Sequence, residues 1–432
     1  MKKFSLNYNQ KKLIKKNILD HKLRIPKMVW MVGLMMFFAN FSSIIIFIYC
    51  PIYLKEELGY SLSIIGFLEG LAEGTSFIMK LLSGILSDIL QKRKLLIGIG
   101  YGIVVLAKYV FAIFSGYGFA IIFARMMERV GNGIQAAPRS ALVGDIAPSR
   151  RIGACYGLKR SLATIGSVLG AFMAGIVMWL SRENYRTLFW FTAIPVSIGF
   201  LVFLFFIKEP LKIRKAALLA VIPSHTPKYK QSFSFSNFKL LGITFWKLMI
   251  VNFIFLLSRM GEAFLSIHAR DVFHLEKKLI PTVMIVFNLA WAMSSYPVGL
   301  IADKMNRYWL LCLGIISLVL SDITLATSNT FKFFYVGVAL WGIQYGTTMN
   351  IFLSLISEVV PENLRGTGLG IYFITCAIGM MIGDSVMGRI SHRLGTRTAF
   401  VASGIIASFA LIALIIIMGY KIKQSKTKRD NV

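Results

Sequence analysis

Twelve long apolar stretches, in two groups of six, dominate this sequence. A helix needs roughly 20 apolar residues to cross a hydrocarbon layer about 30 Å thick. Apolar residues make up 56% of the chain, so the pattern predicts an all-α membrane protein with twelve transmembrane helices in two six-helix bundles and argues against a water-soluble fold. We predict spans at 30–53, 62–86, 95–115, 117–140, 153–180, 187–207, 246–269, 279–302, 308–328, 331–357, 367–388 and 398–420.

The two halves also carry matching loop motifs. A Gly-x3-Asp segment at 84–88, between the second and third stretches, returns at 299–303, an offset of 215 residues. An acidic-x-x-Pro motif at 145–148 returns at 358–361, an offset of 213 residues. Two motifs at nearly one offset predict an internal duplication, which is typical of membrane proteins built from repeats.

The positive charge is confined to particular parts of the chain. The net charge is +29, and lysines and arginines concentrate in the tails, the central linker and alternate short loops. Since cationic loops stay in the cytoplasm, we predict cytoplasmic termini in a bacterial inner membrane, with the tails near anionic lipid rather than nucleic acid. The predicted division is a basic tail at 1–29, a bundle at 30–207, a cytoplasmic linker at 208–244, a bundle at 245–420 and a basic tail at 421–432.

The repeated loop resembles the hallmark motif of the major facilitator superfamily. This resemblance covers essentially the whole chain outside the tails and implies a secondary transporter that works by alternating access. A glycine at a helix end permits close approach of a neighbour, and the aspartate and following cations can form ion pairs that release as the bundles rock. In one departure, Ile89 stands where relatives usually carry arginine. The predicted gating residues are Gly84, Asp88, Lys92, Arg93, Gly299, Asp303, Lys304 and Arg307.

Charged side chains also lie inside the apolar stretches. Helix 2 carries Glu69 and Glu73 on one stripe, and helix 4 carries Arg125, Glu128 and Arg129 near one face. A charge at the bilayer centre costs about 2.5–3.5 kcal/mol even on insertion scales, so these groups should pair or line an aqueous cavity. We predict that Arg129 pairs with Glu73 or Glu128, and that all five residues belong to a substrate or proton pathway.

Two interpretations of this charged set remain open. It can be a locked ion-pair network that holds the first bundle together. Alternatively, an excess of buried cations leaves room for an anionic group on a solute. The count behind the second interpretation sets six cations against three carboxylates, namely Lys80, Lys108, Arg125, Arg129, Lys159 and Arg160 against Glu69, Glu73 and Glu128.

The second half is sparser in charge. Arg259 and Glu262 lie one turn apart on helix 7, and the segment from Glu262 to Leu265 is similar to an element of one bacterial branch of the superfamily. A buried carboxyl group can bind and release a proton, whereas arginine cannot release one. Glu262 is therefore a candidate proton carrier or a local partner of Arg259, and we predict that both residues belong to the substrate or proton pathway. Asp322 and Asp384 are secondary acidic candidates, placed near the external ends of their helices, and Asn40 on helix 1 is a candidate solute contact.

Several function classes lack support in the sequence. There is no Walker motif, paired-histidine metal motif or nucleophile elbow, so we predict no enzyme activity, no cofactor and no metal. The expected partners are a small-molecule solute, protons and lipid, and the expected state is a monomer. A polar cavity would favour uptake or exchange of a metabolite, whereas an aromatic and methionine lining would favour efflux of amphipathic drugs or siderophore-like compounds. The Gly-Pro pair of drug antiporters is incomplete, since Ala171 follows Gly170. A non-transporting receptor with the carrier fold is the third alternative.

Overall fold

The structure is a computed structural model that describes residues 25–90, 92–148, 152–209, 241–302, 305–361 and 364–430. The predicted gating residues Asp303 and Lys304 lie outside these ranges, as do most of the 208–244 linker and of the amino-terminal tail.

Within the described ranges the chain is helical and contains no strand, which confirms the all-α prediction. Helix numbers follow the order of the twelve predicted spans, and the seventh span consists of two helices. The helices are α1 (Lys27–Glu56), α2 (Leu62–Leu90), α3 (Arg93–Ile113), α4 (Gly118–Ile146), α5 (Ile152–Leu180), α6 (Tyr185–Phe206), α7a (Gly242–Ser258), α7b (Ala263–Phe273), α8 (Pro281–Ala302), α9 (Arg307–Thr327), α10 (Phe331–Val359), α11 (Arg365–Leu394) and α12 (Thr396–Asp430).

Ten segments of the described chain are long and apolar enough to cross a membrane. The other two, α4 and α10, have 29 residues each and are more polar. Helix α4 carries the charged face around Arg125 and Arg129, and the middle of α10 carries Gln344, Thr347 and Thr348. Ten of the twelve predicted spans are therefore confirmed by length and composition.

The seventh span is broken, which differs from the continuous helix predicted at 246–269. Helix α7a ends at Ser258, and α7b begins only at Ala263. Arg259 has extended backbone angles (φ −72°, ψ 115°), and its amide hydrogen still bonds to the carbonyl of Leu256. The apolar run around this site predicts helix on either side, and Gly261 between two charged residues is the local signal for the interruption.

Small residues bring helices of the two halves together at one end of the bundle. We call the end where α1 begins and α2 ends the base, and the opposite end, where α1 ends and α2 begins, the rim. Near the rim, a Cβ atom built on Gly66 of α2 would lie 2.7 Å from the Cα of Gly388 on α11. A Cβ on Gly70 would lie 2.9 Å from the carbonyl oxygen of Met381. Glycine therefore allows these two backbones to touch.

At the base, the start of the linker is attached to α3. The carboxylate of Glu209 accepts hydrogen bonds from the backbone amides of Arg93 (3.0 Å) and Lys94 (2.9 Å). These amides belong to the first turn of α3, which has no partners for them within the helix. A carboxylate also complements the positive end of the helix dipole.

Candidate functional site

A cavity of about 410 Å³ lies between the two halves of the chain. It is bordered by α1, α2, α4 and α5 from the first half and by α7, α8, α10 and α11 from the second. All eight predicted pathway residues line it, from Asn40 on α1 to Glu262 at the helix break. The full set of charged lining residues is Glu69, Glu73, Arg125, Glu128, Arg129, Arg139, Arg160, Arg259, Glu262 and Asp384.

Arg125 is the centre of a buried ion-pair network. Its Nε and Nη2 atoms donate to the two carboxylate oxygens of Glu69 at 3.0 and 2.7 Å, and its Nη1 donates to Glu128 at 3.3 Å. Lys108 of α3, behind the cavity wall, donates to the other oxygen of Glu128 at 2.6 Å. A bidentate arginine–carboxylate pair is geometrically specific as well as strong, so this set holds α2, α3 and α4 in one arrangement.

Arg129 pairs with Glu73, which is one of the two predicted pairings. Its Nη1 lies 2.7 Å from Glu73 Oε1, and its Nη2 lies 3.9 Å from Glu69. The side chains of Arg129 and Glu73 are 15% and 27% exposed, compared with 0% and 1% for Lys108 and Glu128. The network therefore has a nearly unexposed pair, Lys108 and Glu128, of which only Glu128 borders the cavity, and a more exposed pair, Arg129 and Glu73, at the cavity wall.

The more exposed pair has unused hydrogen-bonding capacity. The Nε and Nη2 atoms of Arg129 are buried and have no hydrogen-bond partner among the described residues. The guanidinium groups of Arg125 and Arg129 each lie 5.3 Å from the ring centre of Phe47 on α1, which supports them from one side. Arg129 can therefore donate further hydrogen bonds to a bound group.

The charges in this network balance. Three cations, Lys108, Arg125 and Arg129, meet three carboxylates, Glu69, Glu73 and Glu128. The six-to-three excess counted from the sequence therefore does not lie in the middle of the bundle, because the remaining three cations lie towards the base. The set therefore has two parts: a balanced network in the middle and an excess of positive charge towards the base.

Together with Arg139, which was not in that count, these three cations form a group that we call the base cations: Lys80, Arg139, Lys159 and Arg160. None of them forms an ion pair with another described residue. Lys80 lies 4.9 Å from the ring centre of Phe373, and Arg160 lies 4.1 Å from that of Trp291. Lys159 donates to the hydroxyl of Ser140 at 3.2 Å. Arg139 and Arg160 line the cavity, so its lower end is positively charged.

The second half contributes a different surface. Arg259 lies 3.5 Å from Glu262 and 3.8 Å from the ring centre of Tyr345. Asp384 of α11 lies against the helix break, since a Cβ on Gly261 would be 3.3 Å from its Oδ1. Asp384, predicted as a secondary candidate near the external end of its helix, is 3% exposed and lines the cavity.

Aromatic rings and methionines surround these polar groups. The cavity therefore has both a charged, polar lining and an aromatic and methionine lining, which were predicted as alternatives. The apolar lining residues of these two types are Met36, Met260, Met284, Met349, Met380, Phe47, Phe77, Phe287, Trp291 and Tyr345.

The predicted gating motif forms ion pairs that differ in part from the expected ones. Asp88 and Lys92 are exposed at the base, and no ion pair joins Asp88 to another described residue. Arg93 instead pairs with Asp145 at the end of α4, 2.8 Å away. Its counterpart Arg307 pairs with Glu358 at the end of α10, 3.0 Å away. The acidic-x-x-Pro repeat could have predicted these two ion pairs, because its first residue is the acid in each pair.

The rim carries a set of ion pairs that the sequence did not predict. Arg270 donates to Glu56 at 2.6 Å, Lys55 pairs with Asp271, and Lys277 lies 3.2 Å from Glu56. Each pair joins α1 to the second half. Lys277 also lies 3.5 Å from Glu57 and 3.8 Å from Glu183. In the part of the chain that the structure describes, every ion pair between the halves lies at the rim, so that end is closed.

Two helical bundles that enclose a charged cavity and are joined across one end define an integral membrane transporter rather than an enzyme. The model of the Major Facilitator Superfamily matches residues 32–384, and the chain belongs to this family. It is 26% identical over 416 residues to the uncharacterized MFS-type transporter MJ1317 of Methanocaldococcus jannaschii, which covers 94% of this chain and 98% of that protein. It is 25% identical over 366 residues to the inner membrane transport protein YajR of Escherichia coli, with 81% and 74% covered.

The fold is shared with solved transporter structures. A variant of the nucleoside transporter NupG superposes with a TM-score of 0.74 at 13% identity, covering 90% of this chain and 99% of that one. At this identity the likeness concerns the fold alone.

Proposed function

We propose that this protein is a secondary transporter that moves a small organic anion by alternating access and is driven by protons. The observation that carries the proposal is the position of the unpaired base cations at one end of a cavity whose other end is closed by ion pairs between the bundles. In the proposed orientation both termini are cytoplasmic, in the inner membrane of a bacterium. The base then faces the cytoplasm, and the ion pairs of the rim close the external end of the cavity.

The anionic solute follows from the charge distribution. The middle network is neutral as a set, whereas Arg139 and Arg160 enter the cavity without a carboxylate partner among the described residues. A carboxylate or phosphate group would supply the missing negative charge, and arginine is well suited to bind it through parallel hydrogen bonds. The methionines and aromatic rings of the lining would hold an apolar portion of the same solute.

Proton coupling is proposed for Glu73 and Glu262. Both line the cavity, and each lies beside an arginine that stays charged while the acid exchanges its proton. Replacement by glutamine removes the titrating group and preserves the shape. We expect that Glu73→Gln and Glu262→Gln each abolish accumulation driven by a pH gradient and leave solute exchange in place. Unchanged accumulation in both variants would argue for a carrier without proton coupling.

The solute itself can be found by metabolite profiling inside and outside cells that produce the intact protein or Arg129→Ala at equal membrane abundance. Arg186→Ala is the matched control, because this arginine is exposed on α6 near the rim. A metabolite anion whose distribution changes with the intact protein and the control, but not with Arg129→Ala, would identify the substrate and direction. Equal profiles in all cells would favour the non-transporting alternative.

Efflux of amphipathic compounds is the second candidate function, favoured by the ten methionine and aromatic side chains of the lining. Ethidium retention in energised cells tests it. Faster loss of ethidium with the intact protein than with Arg129→Ala, together with unchanged metabolite anions, would support efflux over metabolite transport.

A further inference from the structure

Asp322 is a membrane-embedded acid that the proposed transport cycle does not use. It lies on α9, is 1% exposed and does not line the cavity. No cation among the described residues forms an ion pair with it. A charged carboxylate in such surroundings is costly, and an acid kept there usually has a functional role.

If Asp322 is ionised, the hydrogen-bonded group around it has one donor too few. The hydroxyl oxygen of Ser403 on α12 lies 2.5 Å from Asp322 Oδ2 and 2.6 Å from the carbonyl oxygen of Ser258. A serine hydroxyl has one proton and cannot donate to both acceptors at once. Both contacts are satisfied when Asp322 carries a proton and donates to Ser403, which in turn donates to Ser258.

The hydrogen bond to Ser258 links Asp322 to the break in helix 7. It is the last residue of α7a, and its carbonyl belongs to the group that a helix end leaves without an intrahelical partner. In an unbroken helix that carbonyl would accept from the amide of Glu262. The Ser403 hydroxyl therefore takes the place of the helical hydrogen bond at the break.

Charged and titratable groups on the neighbouring elements are engaged elsewhere. Arg259, next to Ser258, contacts Glu262 and Tyr345. His268 of α7b bonds to Thr396 of α12 at 2.7 Å. Helix α10 meets this part of α9 through the carbonyl of Gly337, which accepts from Ser321. Close to Asp322, α12 presents Ser403 and Gly404. No described cation is therefore placed to neutralise Asp322, which leaves protonation of its own carboxylate.

We propose that Asp322 is a proton-binding site that controls the break in helix 7. When a proton from water binds the carboxylate, an O–H bond forms, Asp322 donates to Ser403, and Ser403 stabilises the free carbonyl of Ser258. When the proton leaves, Ser403 turns its hydroxyl to the carboxylate, and Ser258 loses its partner. The helical bond from the Glu262 amide to Ser258 is then favoured, which moves Arg259 and Glu262 relative to the cavity.

Infrared difference spectroscopy of the purified protein in lipid membranes tests the protonation state without a solute. The spectrum of the intact protein minus that of Asp322→Asn should contain the carbonyl band of a protonated carboxylic acid at neutral pH, and this band should bleach as the pH rises. Ser403→Ala, which keeps the acid, should shift the band because the Ser403 hydroxyl that accepts from protonated Asp322 is gone. Ser321→Ala is the control, since it removes a neighbouring buried serine bond to Gly337. Loss of only carboxylate bands in Asp322→Asn would overturn the proposal.

Hydrogen–deuterium exchange at residues 256–266, corrected for intrinsic pH dependence, tests the link to the break. As the acid band bleaches, exchange of the Glu262 amide should slow by roughly tenfold in the intact protein, the effect of one net hydrogen bond. Asp322→Asn, whose amide still donates to Ser403, should show no such change, and Ser403→Ala should exchange slowly at every pH. The same pH response in Asp322→Asn as in the intact protein would overturn the control of helix 7 by Asp322.

Discussion

The ammonium group of Lys108 lies 2.6 Å from the carboxylate of Glu128, and neither side chain is accessible to solvent. Lys108 reaches Glu128 from α3, behind the cavity wall, so a solute cannot contact it. Arg129 and Glu73, in contrast, meet at the wall itself. The same network thus supports the fold through one pair and faces the cavity through another, which makes the two roles experimentally separable.

Removal of Lys108 should be costly for folding. Lys108→Ala leaves Glu128 with one cation fewer, and breaking a buried pair from one side typically costs about 3–5 kcal/mol. Thermal unfolding in detergent should show a clear loss of stability, whereas Lys332→Ala, at an exposed position, should not. The combination Lys108→Met with Glu128→Gln should regain much of the loss, and a double variant as unstable as the single one would contradict this account.

The base cations should set affinity for the solute rather than stability. Arg139→Gln and Arg160→Gln each remove a positive charge that lines the cavity and has no carboxylate partner among the described residues. Once the solute is known, we expect either change to weaken its binding by about tenfold or more, as for the loss of a hydrogen bond to a charged group. Titration calorimetry would measure this. Unaltered affinity in both variants would exclude the base cations from the solute site.

The rim ion pairs should control which end of the cavity is open. Because they are partly exposed, we expect each to contribute up to about 1 kcal/mol, or roughly a fivefold change in the ratio of the two states. Glu56→Lys should open the rim, and adding Arg270→Glu should close it again. The distance between spin labels at Tyr117→Cys and Phe333→Cys would report this, since both positions are exposed and the four native cysteines are buried. A rim distance insensitive to both changes would argue against a gate.

The close approach of α2 and α11 makes a separate prediction. A side chain at Gly66 would overlap the backbone at Gly388, so Gly66→Val should hold the rim apart while both bundles stay folded. The same pair of spin labels should show a longer distance, and Gly59→Val is the control because a Cβ there meets no neighbouring atom within 4 Å. Since Gly59 has a positive φ of 67°, its own loop will be strained, but the rim distance should stay unchanged.

The repeated pairs at the base should differ in strength. Arg93 and Asp145 have exposed side-chain fractions of 16% and 27%, compared with 31% and 58% for Arg307 and Glu358. Since solvent screens ion pairs, Arg93→Ala should destabilise the protein more than Arg307→Ala. Unfolding measurements at low and high salt would show it, and a larger loss for Arg307→Ala would contradict the role of exposure.

The helices were predictable because membrane helices are recognised by their length and hydropathy. The inner charged face was predictable because charges in such helices must face inward. Helical spacing therefore brought Glu69 and Glu73 to the face that meets Arg125 and Arg129. The break after Ser258 was missed because apolar sequence continues on both sides of it. The rim pairs were also missed, since Glu56 and Arg270 are 214 residues apart, and only the packing of the two halves brings them together.

Glu209 attaches the start of the connection between the halves to α3. Its carboxylate holds the first turn of α3 while its backbone continues from α6. A pull on the chain beyond it would therefore be shared by two helices of the first bundle. In mechanical terms Glu209 is an anchor point. Movement of one half against the other therefore applies force to α3 and α6 together instead of unwinding the end of α6.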